Sequence, residues 1–342
     1  MTTDGIVLLA KQPGLTSFSS LHSIKKSLGT SKVGHTGTLD SFAQGLLVVC
    51  TGRLTRLAGN ITEFNKTYKA ILKFGSETDT LEYTGNIIKT AELPTLESLK
   101  KSISKFTGNI MQRPPVYSAI HVDGHRASDL ARSGTTAEIP ARPVTVFDAE
   151  LKDVLLNSEK KVEYALIDFS VSKGTYIRSL ARDIAESCGS AAHLAGLYRT
   201  KVGNFRIEDS AGFSNLQEFT IKNTINTISQ QLKVLEAKSN SEKKKYIPDE
   251  KELKLQEEIR QKIQLFTPET SSLCGFNNIT LISTDGELDF KNGKPLLSKN
   301  FDTPLHHLKN NSISAVFSTD GAFTGLIEKN SEGRVHYKFV IN

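Results

Sequence analysis

Apolar positions along this chain switch between the period of a helix and that of a strand. Phe18, Leu21, Ile24 and Leu28 recur at steps of three and four, the spacing of one helix face. Ser17 stands where a cap belongs, and Gly29 where the chain leaves the helix. Tyr68, Ala70, Leu72 and Phe74 alternate, as in a strand with one buried face. Thr95 opens a second helix carrying Leu96, Leu99, Ile103 and Phe106, with Gly108 closing it. VYSAIHV, a turn at Asp123-Gly124 and a short helix from Ser128 toward Gly134 follow. RPVTVFDAEL and VEYALIDFSV read as strands, and YIRSLARDIAESCG reads as a helix with Ile177, Leu180 and Ile184 inward. Strands and helices mix without strict βαβ alternation. Residues 1–235 are therefore expected to be an α+β domain, a mixed and largely antiparallel sheet with flanking helices.

From about 236 to 264 the pattern breaks into Lys and Glu with few aromatics. Such a stretch is either a solvated helix laced with i,i+4 pairs or a loose connector, and 236–275 is taken as a charged linker. Strand signals then return in ITLIST, AVFSTDGAFTGLIE and VHYKFVI, with turns expected at Asp285-Gly286 and Asp320-Gly321. Residues 276–342 should form a small all-β domain. No internal repeat is visible.

Composition narrows the setting. The 342 residues carry 43 Lys and Arg against 37 Asp and Glu, a net charge of +6, which suits a polyanionic partner such as nucleic acid. Cys50, Cys188 and Cys274 are odd in number and lie in no C-x-x-C pattern, arguing against a disulfide framework or a zinc knuckle. His121 and His125 flank the expected turn without an accompanying thiol or carboxylate set, so no metal site is expected there. The opening MTTDGIVLLAKQPG reads as a first strand rather than a signal peptide. No apolar run reaches the roughly 20 residues of a membrane helix. A cytoplasmic location fits.

Three stretches carry candidate chemistry: KVGHTGTLDSFAQGLLVVCTG at 32–52, KTYKAILKFGSETDT at 66–80 and SKGTYIRSLARDIA at 172–185. Taken singly, each has an ordinary explanation. Gly34, Gly37 and Asp40 read as turn chemistry, Tyr68 as core packing, Arg178 as a surface residue on an amphipathic helix. Together, GHTGTLD, K-x-Y, RPPVYSA and SKGTYIR occur in an order that resembles the TruB-type pseudouridine synthases, over about residues 5–215.

The resemblance implies an isomerase that converts uridine to pseudouridine at position 55, in the T loop of tRNA, without cofactor or metal. Asp40 would be the catalytic carboxylate, as nucleophile or base, with Arg178 keeping it ionised and directed. A stacked uridine must be extruded into a pocket. Tyr68 would stack on the flipped base, Tyr176 and Leu197 would line its pocket, and His35 would fill the gap left in the RNA. Lys11 would support the active-site loop. Residues 111–142 match an insertion that clamps the T arm, and 276–342 resembles, more weakly, a small RNA-binding β-barrel of the PUA type. A monomer is expected. The chain departs from the family pattern at Lys11-Gln12-Pro13-Gly14, where the proline is displaced, at Ser41 in place of proline, and at Tyr198 in place of an arginine. Two other readings are a synthase acting on another RNA and a non-catalytic tRNA-binding or folding protein.

Overall fold

The computed structural model of the chain describes residues 4–118, 120–122, 125–133, 139–237 and 249–341. The first part runs β1 (Gly5–Lys11), α1 (Leu21–Leu28), β2 (Val33–His35), β3 (Gln44–Thr51), α2 (Ala58–Thr62), β4 (Lys66–Phe74), β5 (Ser76–Thr78), β6 (Ile87–Thr90), α3 (Leu96–Lys105) and β7 (Gly108–Gln112). It continues through β8 (His121–Val122), β9 (His125–Arg126), α4 (Ala127–Arg132), β10 (Arg142–Leu156), β11 (Val162–Val171), α5 (Ile177–Ser187), β12 (Ala192–Val202), β13 (Phe205–Arg206) and α6 (Ile221–Ala237). The remainder comprises α7 (Glu250–Lys262), α8 (Pro268–Leu273), β14 (Asn277–Thr280), α9 (Thr284–Lys291), β15 (Ser312–Phe317), β16 (Phe323–Lys329) and β17 (Val335–Val340).

One large sheet has the order β1-β3-β12-β4-β11-β10-β7, with β2 on β3 and β13 on β12. Its pairings are antiparallel except for β12 beside β3, where Tyr198 faces Gln44 and Arg199 faces Gly45. This parallel step brings Arg199 next to the loop that enters β3. At Gly45 (φ 117°) a β-carbon would run into the backbone of Arg199, so only glycine allows the approach. The alternation of β4 sends Tyr68, Ala70, Leu72 and Phe74 into a core with Leu180 and Ile184 of α5 and Leu99 and Ile103 of α3. Ile71 points the other way, against Ala195 and Ile221 at the start of α6. The α+β reading holds.

The C-terminal part is built on a four-stranded sheet, β14-β15-β16-β17, with β14 parallel to β15. It has a core of its own around Ile279, Phe290, Phe301, Val316 and Ile327. A second cluster joins Phe266, Cys274, Phe276, Phe317 and Leu326 to Ile6, Leu8, Cys50, Leu54 and Leu57 of the large sheet and its flank. The two parts thus share an apolar seam. Among the described residues, no helix is long and apolar enough to cross a membrane.

Local chemistry shifts several expected boundaries. Helix α1 starts at Leu21 rather than beside Ser17, because the Ser17 hydroxyl is bound to the backbone of Leu39 instead of capping. Phe18 is consequently 72% exposed instead of inward. Helix α3 is capped by Thr95, which accepts from Ser98 N–H, but it ends at Lys105, and Gly108 (φ 103°) begins β7. The short helix begins at Ala127, not Ser128. Asp285-Gly286 is not a hairpin turn: Ser283 accepts from Gly286 N–H, so the pair lies in the first turn of α9. The turn around Asp320-Gly321 does form, between β15 and β16, with Gly321 at φ 81°. The charged stretch, expected as a connector, contributes α7, whose Ile259 is fully buried against β1 and α1. Gln264 then exchanges two backbone hydrogen bonds with Ile6. The Asp123-Gly124 turn, Gly134 and residues 238–248 of the charged stretch lie outside the described residues.

Candidate active site

Asp40 sits on the loop between β2 and β3, and that loop is tied down atom by atom. Buried backbone carbonyls need partners, and here buried side chains from distant parts of the chain provide them. Arg199 donates from Nη2 to Gly37 O at 3.0 Å, from Nη1 to Thr38 O at 3.4 Å and from Nε to Leu46 O at 2.8 Å. Ser17 Oγ accepts from Leu39 N–H at 2.8 Å and donates to Leu39 O at 3.0 Å. Lys11 Nζ donates to Ala43 O at 2.6 Å and Ser41 O at 3.3 Å. Burial pushes the Lys11 ammonium down to about 8, with Asp40 pulling it up and Arg199 adding to the depression.

Arg178 projects from the first turn of α5, while Ile177, Leu180 and Ile184 on the same helix are buried. Its guanidinium spans a gap of 138 residues in sequence to meet Asp40: Nη2 donates to Oδ1 at 3.2 Å, and Nε lies 3.1 Å from Oδ2. The second contact lacks hydrogen-bond alignment, and Nε has no other partner among the described residues. The pair is thus one hydrogen bond plus one electrostatic contact, not two parallel donors. Arg178 is only 6% exposed and is held further by the carbonyls of Thr80 and Tyr117, both at 3.0 Å. Glu82 is close behind: burial raises its carboxyl, the Asp40 charge adds to this, and Arg178 opposes it.

Asp40 and Arg178 open onto a cleft of about 640 Å³. Tyr68, Tyr176 and Leu197 line it as well. Tyr68 lies on β4 between Phe169 of β11 and Arg199 of β12, and Leu197 is two residues before Arg199 on the same face. Tyr176 precedes α5, and its backbone is fastened in both directions to the Gln112 side chain, at 2.8 and 3.1 Å. Burial raises the Tyr176 phenol, with Ser118, Arg178 and Arg142 pulling the other way. Lys11 stands behind the loop and not in the cleft wall. His35 also stays outside the lining: it is half-buried on β2, with Nδ1 lacking a partner among the described residues, and burial and Arg199 lower its imidazole, keeping it neutral near pH 7.

Sequence reasoning gave no site role to Arg199, to Ser17, read as a helix cap, or to Lys66, quoted only as the first residue of K-x-Y. Lys66 lines the cleft, donates to Thr62 O and Phe64 O at 2.5 Å each, and is depressed to about 8, chiefly by burial. A signal was present, since Arg199 and Lys66 each lie two residues from an inward side chain, Leu197 and Tyr68, on strands of period two. Among the described residues, no group of three His, Cys, Asp or Glu is placed to hold a metal.

Comparison with known proteins identifies the family. Residues 25–177 match the family model described as TruB family pseudouridylate synthase (N terminal domain). The tRNA pseudouridine synthase B of Treponema denticola is 46% identical over 280 residues, spanning 78% of this chain and 77% of the relative. That of Bordetella avium is 43% identical over 64% of this chain and 88% of the relative. Among solved structures, a Cbf5-Nop10-Gar1 complex aligns with 99% of this chain and 85% of its own at a TM-score of 0.64, with 21% identity, and so speaks for the fold alone. The chain belongs to the TruB family of pseudouridine synthases, in its tRNA pseudouridine synthase B branch.

Proposed function

We propose that the protein isomerises the uridine at position 55, in the T loop of tRNA, with Asp40 as the reacting carboxylate. The observation that carries this reading is the Asp40 and Arg178 pair in a cleft large enough for an extruded nucleotide. The reaction breaks the bond from N1 to C1′, turns the freed uracil and joins C5 to the same carbon. The C5 proton is lost and N1 regains one, so no outside reactant is consumed. Asp40 acts either as nucleophile at the sugar carbon or as base toward a sugar proton. Arg178 holds and directs the Asp40 carboxylate through the hydrogen bond to Oδ1 and the contact with Oδ2. Tyr68 offers the stacking face, and Tyr176 and Leu197 the walls. His35 takes the space vacated in the RNA, which requires it to meet the RNA outside the cleft lining. Residues 111–142 and the C-terminal sheet grip the substrate, and the enzyme works as a cytoplasmic monomer without cofactor.

The test is to incubate the purified protein with unmodified tRNA transcript and map pseudouridine by chemical adduct and primer extension. A single new pseudouridine in the T loop is expected. Modification confined to other positions or other RNAs would replace the substrate, and binding without any product would leave a non-catalytic tRNA-binding protein.

A further inference from the structure

We propose that Ser118 is a substrate-positioning residue whose hydroxyl hydrogen-bonds the polar edge of the extruded pyrimidine; this rests on the function proposed above. Ser118 is 5% exposed and lines the cleft, yet its Oγ has no hydrogen-bond partner among the described residues. The Tyr176 phenol is near enough to feel the hydroxyl, but the two are not placed as a hydrogen-bonded pair. The Ser118 backbone, by contrast, is fully engaged: the N–H donates to Val116 O at 3.0 Å, and the carbonyl accepts from Ser128 N–H at 3.2 Å. The preceding segment is stitched to α5. Gln112 binds the Tyr176 backbone, Arg113 O accepts from Ser179 Oγ at 2.9 Å and Arg182 Nη2 at 3.0 Å, and Tyr117 O accepts from Arg178. The hydroxyl is therefore held in place without being used.

A buried hydroxyl left unpaired destabilises a fold, and alanine of nearly the same shape avoids that cost. Ser271 and Ser314 also lack partners among the described residues, but they lie in the C-terminal part, away from this cleft. Ser118 differs in lining the cleft, together with Tyr176 and Arg178. The partner it lacks in the polypeptide is supplied by a ligand. Uracil presents an N–H donor between two carbonyl acceptors, and a serine hydroxyl both donates and accepts, so either kind of edge atom satisfies it.

The test compares wild type, Ser118→Ala and Ser118→Thr for single-turnover pseudouridine formation on one unmodified tRNA transcript, for tRNA affinity and for thermal unfolding. Ser118→Ala should melt at or above the wild-type temperature and bind tRNA equally well, yet turn over about tenfold more slowly, the loss of one hydrogen bond in the reacting complex. Ser118→Thr should recover most of the rate. Ser118→Ala turning over within twofold of wild type, a slow mutant that is also destabilised, or equal slowing by Ala and Thr would each overturn the proposal. Inactive wild-type protein in the same assay would instead remove the proposed function, and the Ser118 role with it.

Discussion

The loop that carries Asp40 and the C-terminal sheet are held by different means. Leu39 and Phe42 seat the loop in the core, but its backbone course is set by Arg199, Lys11 and Ser17, which fasten its polar groups one by one. The C-terminal sheet is fastened to the rest by packing, with Phe266, Phe276 and Phe317 against Ile6, Leu8 and Leu54. Hydrogen bonds to fixed carbonyls set position to a fraction of an ångström, whereas an apolar seam sets proximity and tolerates adjustment. One consequence concerns truncation: ending the chain near residue 235 strips α7 from β1 and bares the seam, so the C-terminal contribution must be probed by side-chain changes in the intact protein.

The comparison breaks most severely at Arg178. Arg178→Lys keeps the charge but replaces a guanidinium that reaches Asp40, Thr80 and Tyr117 together by a compact ammonium that cannot span them. Misplacement by about 1 Å at a reacting centre costs on the order of a hundredfold in rate. That loss is expected in kcat with tRNA affinity nearly unchanged, read from single-turnover rates at saturating enzyme. A rate within about threefold of wild type would detach Arg178 from the chemistry.

Arg199→Met is expected to affect stability and rate together. It leaves the carbonyls of Gly37, Thr38 and Leu46 without their buried donor, at a total cost of about 3 kcal/mol. Urea denaturation measures the first loss and single-turnover kinetics the second. Intact kcat in a destabilised protein would show that the loop keeps its shape without the clamp.

The smallest effect belongs to the C-terminal side. Arg53 and Lys291 border a recess of about 450 Å³ at the junction with α9. Replacing both by Ala should weaken tRNA binding a few-fold and lower the salt slope by about one for each phosphate no longer neutralised, while kcat at saturation holds. Unchanged affinity and salt slope would remove this face from the RNA grip.

What was legible in the sequence follows the same division. Asp40, Tyr68, Tyr176 and Arg178 sit in short ordered motifs and Leu197 beyond them, and the five meet in one cleft although the chain separates them widely. Arg199 and Lys66 were given no role, although Lys66 opens the K-x-Y motif; each is buried on backbone carbonyls, a partnership that only the tertiary structure reveals. In the large sheet, β4 was visible through its alternation and β1, β10 and β11 read as strands, whereas β3, β7 and β12 were not read; β3 is buried at every position and so carries no period of two. Helix starts were less so, since Ser17 and Ser283 are chemically alike, yet one spends its hydroxyl on a remote loop and the other on its own helix. Nothing local distinguishes those uses; the tertiary partner decides.

The central claim is that Asp40 reacts and the surrounding contacts only hold it. The direct measurement is Asp40→Asn assayed on unmodified tRNA transcript, with affinity and single-turnover pseudouridine formation determined on the same preparation. The amide preserves shape but serves neither as nucleophile nor as base. Binding within a few-fold of wild type with no detectable product is predicted, and substantial pseudouridine formation by the mutant would contradict it.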